Sequence, residues 1–251
     1  MSSIDTFCHP REGEDPQVDS RFSSVVPEPQ TLRGFFDGIA ARYDFLNQLL
    51  SFSLDDYWRR KSRDILLSGG ESAVLDLGVG TGKFLQLFLK SQRWERAVGL
   101  DFSHRMLGVS RRGLAPQAEF VNGDFQALPF ESESFDVVIS AFTLRSVCNM
   151  KSFLGEVSRV LSVRGKAGFL CLTRPTNSFF RLLYYPYLKF YLPWIGGLVS
   201  GNSEAYRFLA DSIMNFQEPD ETARMMADMG FRKVSVHRFT FGIATLVAGE
   251  K

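Results

Sequence analysis

The sequence predicts an α/β fold: a Rossmann-like, mostly parallel sheet of seven strands with helices on both faces. A C-terminal antiparallel strand pair closes it, and N-terminal helices and an aromatic lid insertion are added to it. Three observations predict this. Between Val74 and Thr173, short apolar runs alternate with amphipathic segments, the pattern of a parallel sheet wrapped by helices. A turn holding Gly78, Gly80 and Gly82 follows the first run. Two alternating runs near the C-terminus are joined by a link too short for a crossover helix, so they pair antiparallel.

Taken in order, the 251 residues suffice for one large domain with a full core. Residues 1–30 are rich in acids and prolines and read as a flexible tail, leaving 31–251 as the domain. From Leu32 to Leu50, Phe35, Phe36, Ile39, Tyr43, Leu46, Leu49 and Leu50 recur at helical spacing. The stretch SLDDYWRRKSRDILL predicts a second helix with Ser53 as N-cap, ended by Gly69 and Gly70. Val74–Leu77 is a strand, Lys83–Lys90 a helix, Ala97–Leu100 a strand, and Ser103–Arg112 a helix. A third strand passes through Phe120 and Val121. FDVVISA and AGFLCLT are continuous apolar runs, hence strands buried on both faces, with a helix over Lys151–Leu161 between them. Glu218–Met229 is a helix stopped by Gly230, before the final runs FRKVSVHRF and FGIATLVAG.

Ser178–Ser200 is about as long as a bilayer-spanning helix. Arg181 and Lys189 interrupt it, and Pro186 and Pro193 break helical hydrogen bonding. It reads as part of a lid over residues 176–216: an apolar pocket wall, or a surface that touches a membrane. A formal net charge of +1 implies no polyanion, so no nucleic-acid partner is expected. Cys8, Cys148 and Cys171 are scattered and odd in number, which suggests a reducing compartment without disulfides or a zinc cluster. The acid-rich start resembles neither a secretory signal nor a mitochondrial transit peptide, so a cytoplasmic, bacterial protein is expected.

The stretch VLDLGVGTGKF carries the site. Its apolar run holds Asp76, and bare backbone follows at the end of a buried strand. A dinucleotide fingerprint needs G-x-G-x-x-G, but Lys83 occupies its last position. Asp101 ends the second strand, where a carboxylate accepts from both hydroxyls of a ribose. Asp124 ends the third strand; it either accepts from an exocyclic amine, with Phe125 against the ring, or caps the next helix. Adenosine joined to an amino acid rather than to a pyrophosphate fits this set.

On these residues the chain resembles class I S-adenosylmethionine-dependent methyltransferases. More narrowly, the blocks FFDGIAARYDFLNQLLSFSLDDYWRR, ISAFTLRSV, GNSEAYRFLADSIMNF and FGIATLVAGEK resemble the family that C-methylates the quinol ring in menaquinone and ubiquinone biosynthesis. The resemblance implies S-adenosylmethionine as cofactor, leaving as S-adenosylhomocysteine. It places Asp76, Gly78, Gly80, Thr81, Asp101, Phe102, Asp124, Phe125 and the backbone of Ala141 around that cofactor. It implies a prenylated quinol as substrate, demethylmenaquinol ahead of the ubiquinone-pathway benzoquinol, and peripheral contact with the inner face of the membrane. Homodimer formation is left open. Arg145 matches the family's arginine near the reaction centre; Thr143, Ser146 and Gln217 depart from its pattern.

The chemistry asks for a cation beside the phenol oxygen, since the phenolate makes the adjacent ring carbon nucleophilic. Arg145 is the candidate, against the alternative that it caps a strand end. Tyr43, Asn47 and Tyr206 are candidates for substrate hydrogen bonds or for packing. His104 and His237 are weaker candidates for a base, and no metal-ligand spacing is present. Competing readings are a methyltransferase for another small molecule or RNA, and a non-catalytic module that binds the cofactor.

Overall fold

The computed structural model describes residues 34, 43–147, 149–200, 203–216 and 218–251. The expected tail and the first part of the first expected helix lie outside the described residues. The elements run α1 (Tyr43–Ser51), α2 (Leu54–Leu66), β1 (Ala73–Leu77), α3 (Lys83–Leu89), β2 (Arg96–Asp101), α4 (His104–Leu114), β3 (Glu119–Asn122) and β4 (Phe135–Ala141). They continue with α5 (Met150–Val160), β5 (Leu161–Leu172), α6 (Ser178–Pro186), a π-turn (Tyr187–Tyr191), α7 (Leu192–Ser200), α8 (Ser203–Asn215), α9 (Pro219–Asp228), β6 (Arg232–Phe239) and β7 (Ala244–Glu250).

The seven strands form one sheet in the order β3-β2-β1-β4-β5-β7-β6. β1 to β5 are parallel, and β7 runs antiparallel to both β5 and β6, as expected. Apolar side chains cover both faces. One cluster gathers Leu75, Leu77, Phe153, Leu154 and Phe169 under α5, and the other Trp58, Phe84, Phe88, Leu107 and Leu246 under α2, α3 and α4. This double burial is why β1 and β4 read as unbroken apolar runs rather than alternating ones.

Two local expectations change. Ser53 does not cap α2: it has φ 61 and makes no capping hydrogen bond. Ser51 does the work instead, its hydroxyl accepting from the Asp55 N–H and donating to the Asp55 carboxylate at 2.8 Å. The prolines, in turn, do not break the 178–200 segment. The chain passes from α6 through the π-turn into α7, and the Leu192 N–H reaches back to the Tyr187 carbonyl. That widened turn re-pairs the backbone just ahead of Pro193, which has no N–H to give.

A third cluster, Leu50, Leu188, Leu192, Tyr206, Ala210 and Ile213, sits under the lid and is touched by Leu172 at the end of β5. Within it the Tyr206 ring lies against Gly196, where any Cβ would collide with the ring. α7 and α8 approach closely for that reason.

β1 is started by a side chain from β4. The Asp136 carboxylate accepts from the Ser72 N–H at 2.8 Å, the Ser72 hydroxyl at 2.9 Å, the Ala73 N–H at 3.0 Å and the Ser162 hydroxyl at 2.9 Å. Burial pushes its pKa up, but these donors outweigh burial and hold it below the usual carboxylate value. A depressed pKa contributes stability that is present above the unfolded value and lost as pH falls. We expect Asp136→Asn to destabilise the fold by about 1–3 kcal/mol at neutral pH. Urea denaturation should measure a difference that shrinks on acidification.

Candidate active site

The carboxyl ends of β1, β2 and β4 lie side by side: Leu77 is level with Leu100, and Asp76 with both Gly99 and Ile139. The chain leaves β1 toward β2 on one side, while β4 joins on the other, which makes this the switch point of the sheet. The glycine turn is fixed there by Gly78 and Val79 N–H bonds to the Leu100 carbonyl, at 2.8 and 3.0 Å. Gly78 has φ +72, and a Cβ on it would strike the Thr143 side chain. Thr143, one of the three departures, therefore packs directly on the turn. Together these elements wall an open cleft.

The cleft brings together most of the expected cofactor residues: Asp76, Gly78, Gly80 and Thr81 from the turn, Asp101 and Phe102 from β2, and Ala141 from β4. Asp101 clamps the turn, its two carboxylate oxygens accepting from the Gly80 and Ser103 N–H groups at 2.8 Å each. Thr81 donates its hydroxyl to Asp44 of α1 at 2.7 Å, so the N-terminal helix is tied over the turn.

The floor holds unusual charge. Asp76 is 1% exposed, and neither carboxylate oxygen has a hydrogen-bond partner. Burial pushes its pKa up to about 8, opposed by the nearby Arg59 and reinforced by Asp101. Arg59 is buried too; it pairs with Asp55 and lies 4.9 Å from the Phe142 ring centre, while its Nε is unbonded. The Lys83 ammonium, also buried without a hydrogen bond, is 4.0 Å from Asp44. A buried acid with no hydrogen bond, near two cationic side chains that each keep an unbonded N–H, suits a ligand that is itself a zwitterion, such as an amino acid. It does not suit a diphosphate, which the Asp101 carboxylate would repel.

Other expected residues lie elsewhere. Asp124 is half-buried and accepts from the Gln126 N–H at 2.8 Å, the helix-cap style of bond that was its alternative. Phe125 points into the core, edge-on to Phe153 at 6.0 Å, because the apolar space behind the sheet takes the ring. Arg145 follows β4 on a short 3-10 turn, Leu144–Ser146. Its guanidinium donates to the Ser212 hydroxyl of α8 at 2.7 Å and to the Phe142 carbonyl at 3.3 Å. Its charge lowers the pKa values of Cys171 and Tyr184, though burial raises both by more, Cys171 up to about 12. Arg145 therefore stands where the cleft meets the lid. Asn47 is half-buried on α1, and Tyr206 belongs to the lid's own core. Tyr43 opens α1, but its side chain lies outside the described residues, as do Gln217 and Cys148. His104 is exposed, and His237 shares a 3.0 Å hydrogen bond with Ser235 on β6.

Sequence reasoning missed Asp44, Arg59, Lys83 and Phe142. For Arg59 a signal existed: Asp55 and Arg59 stand four apart on one helix face. The charged run around them disguised which pair is buried.

This sheet order with its cleft at the β1/β4 switch point is the architecture of class I methyltransferases. Two solved structures share the fold. A SAM-dependent methyltransferase of Thermotoga maritima superimposes with a TM-score of 0.62 at 19% identity, covering 87% of this chain and 99% of the other. One from Aquifex aeolicus gives 0.57 at 15%, covering 82% and 97%. The profile described as the ubiE/COQ5 methyltransferase family matches residues 25–251, and the chain belongs to that family. A demethylmenaquinone methyltransferase of Thermotoga maritima is 38% identical over 86% of this chain and 93% of its own length. A ubiquinone/menaquinone biosynthesis C-methyltransferase UbiE of Geobacter sulfurreducens is 37% identical over 90% and 91%.

Replacing Arg59 by Met should leave Asp55 buried without its partner. We expect a loss of about 3–5 kcal/mol, measured by guanidinium denaturation against Arg59→Lys, which keeps the charge.

Proposed function

We propose that this chain transfers a methyl group from S-adenosylmethionine to a ring carbon of a prenylated quinol, with demethylmenaquinol as the substrate. The observation that carries the cofactor half is the orphaned Asp76 carboxylate beside Arg59 and Lys83 at the glycine turn. The substrate half is supported by the family match and by the names of relatives at 37–38% identity.

When bound, the sulfonium donor supplies an already activated methyl group. Asp76 receives the ligand's ammonium, Arg59 and Lys83 face its carboxylate, and Asp101, at the end of β2 in the cleft, accepts from the ribose hydroxyls. Arg145 stays protonated. Held by Ser212 and the Phe142 carbonyl, it favours the ionised form of a phenol whose free pKa is about 10. The lid's apolar cluster covers this junction and excludes water. An isoprenoid tail buried against such a surface gains about 25 cal/mol per Å².

The purified chain, given labelled S-adenosylmethionine and demethylmenaquinol, should form labelled menaquinol. Label in no quinone would overturn the reading. Arg145→Ala should lower kcat by about 10²- to 10³-fold while the cofactor Kd, from equilibrium dialysis, stays put. Loss of cofactor binding instead would remove Arg145 from the reaction centre.

Because burial raises the Asp76 pKa to about 8, Asp76 is largely protonated at neutral pH. Pairing with an ammonium must expel that proton. Cofactor affinity should therefore rise as pH is raised toward 8, then fall as the ligand's own amine, at about 7.7–8.0, deprotonates. Calorimetry in buffers of different ionisation heat should register proton release that Asp76→Asn abolishes.

A further inference from the structure

Phe142 is the first residue beyond β4. Its φ is 64, in the left-handed region, where a bulky L side chain is an outlier. Other non-glycine residues with positive φ occur among the described residues, but Phe142 alone of them lines the cleft. A left-handed aromatic residue at the end of a central strand is strain that its surroundings must hold in place.

Three contacts hold it, each in a different direction. The N–H donates to the Leu170 carbonyl of β5 at 2.7 Å. The carbonyl accepts from the Arg145 guanidinium at 3.3 Å. The half-buried ring packs against the Trp58 cluster, with the Arg59 guanidinium 4.9 Å from its centre.

One torsion sets two of these directions. Ala141 is in register with Leu170 in the sheet, so β4 and β5 fix the planar peptide that enters Phe142. Rotation about the next bond, φ, then swings the ring and the carbonyl together. At an ordinary negative φ the ring would leave Arg59 and the carbonyl would leave Arg145.

Phe142 thus stands between two cations with different tasks. Arg59 lines the cofactor cleft near Asp76. Arg145 stands where the cleft meets the lid, bonded there to Ser212. A guanidinium is a planar fork, so a second acceptor on it fixes its orientation as well as its place.

We propose that Phe142 is a positioning residue: its left-handed backbone fixes the Arg145 guanidinium relative to the cofactor cleft, so that the cation meets the acceptor's oxygen while the donor is in place. The role in the reaction rests on the quinol reading above; the strained turn and its contacts do not.

Three variants separate ring, strain and carbonyl. Phe142→Gly removes the ring and frees the backbone, Phe142→Ala removes the ring but keeps the penalty of a left-handed Cβ, and Phe142→Tyr keeps both ring and constraint. The glycine variant should melt above the alanine variant, the reverse of their usual order. Exchange of the Arg145 guanidinium N–H groups with water, followed by NMR of the arginine side chains, should be at least about tenfold faster in Phe142→Gly and unchanged in Phe142→Tyr. With a short-chain demethylmenaquinol, kcat should fall about 30- to 100-fold in Phe142→Gly, while the cofactor Kd changes by less than about tenfold. The acid limb of its kcat–pH profile should move up by about one pH unit, because a phenol without a fixed cation ionises less readily. Phe142→Tyr should keep both at the wild-type values.

An alanine variant that melts above the glycine variant, unchanged Arg145 exchange, or a wild-type kcat and pH profile in Phe142→Gly would each overturn the proposal. If the wild type methylates the quinol and Phe142→Gly does so undiminished, only the positioning role fails. If the wild type methylates no quinol, the substrate reading fails, and the melting order and the Arg145 exchange still decide what Phe142 holds.

Discussion

The buried guanidinium of Arg59 is the interaction on which the cleft depends. It joins helix α2 to the floor of the site through three contacts of different kinds: an ion pair with Asp55, the field felt by Asp76, and the face of the Phe142 ring. Ionised groups are tolerated in such a place only when their neighbours compensate them. Asp55 is compensated; burial raises its pKa, but Arg59 and Ser51 pull it below the usual value. Asp76 is not, since burial outweighs what the Arg59 charge and the Leu85 backbone supply and its pKa stays raised. The site is thus left one cation short at the spot where the sheet opens.

The sheet itself was legible because its physics is repetitive. Strands buried on both faces cannot disguise their apolar runs, and glycines at a strand end have few structural uses besides close backbone approach. The glycine turn and Asp101 followed from the same logic, whereas Thr81, Phe102 and Ala141 were legible only through the family resemblance. What stayed hidden was direction. Phe125 follows an acid at a strand end, a position equally open to a ligand-stacking ring or a core ring, and only the space beside Phe153 decides. Asp55 and Arg59 sit in a run of charges whose buried members cannot be told from its solvated ones by sequence alone.

The lid was misread in an instructive way. Proline is a reliable breaker of an ordinary α-helix, so Pro186 and Pro193 argued for interruption. A single widened turn lets the backbone stay helical past them. That continuity matters more than the helix count, because it aligns apolar residues from both halves along one side. A broken segment would scatter the same residues over unrelated directions.

Ser212 links the lid to Arg145 by a hydrogen bond of 2.7 Å. The cation beside the cleft is therefore indexed to a helix that belongs to the cover, not to the sheet. Any displacement of α8, and of α7 with which Gly196 and Tyr206 interlock it, also displaces a full positive charge. Cover and chemistry share one mechanical coordinate, and the roof is part of the electrostatic machinery rather than a barrier laid over it.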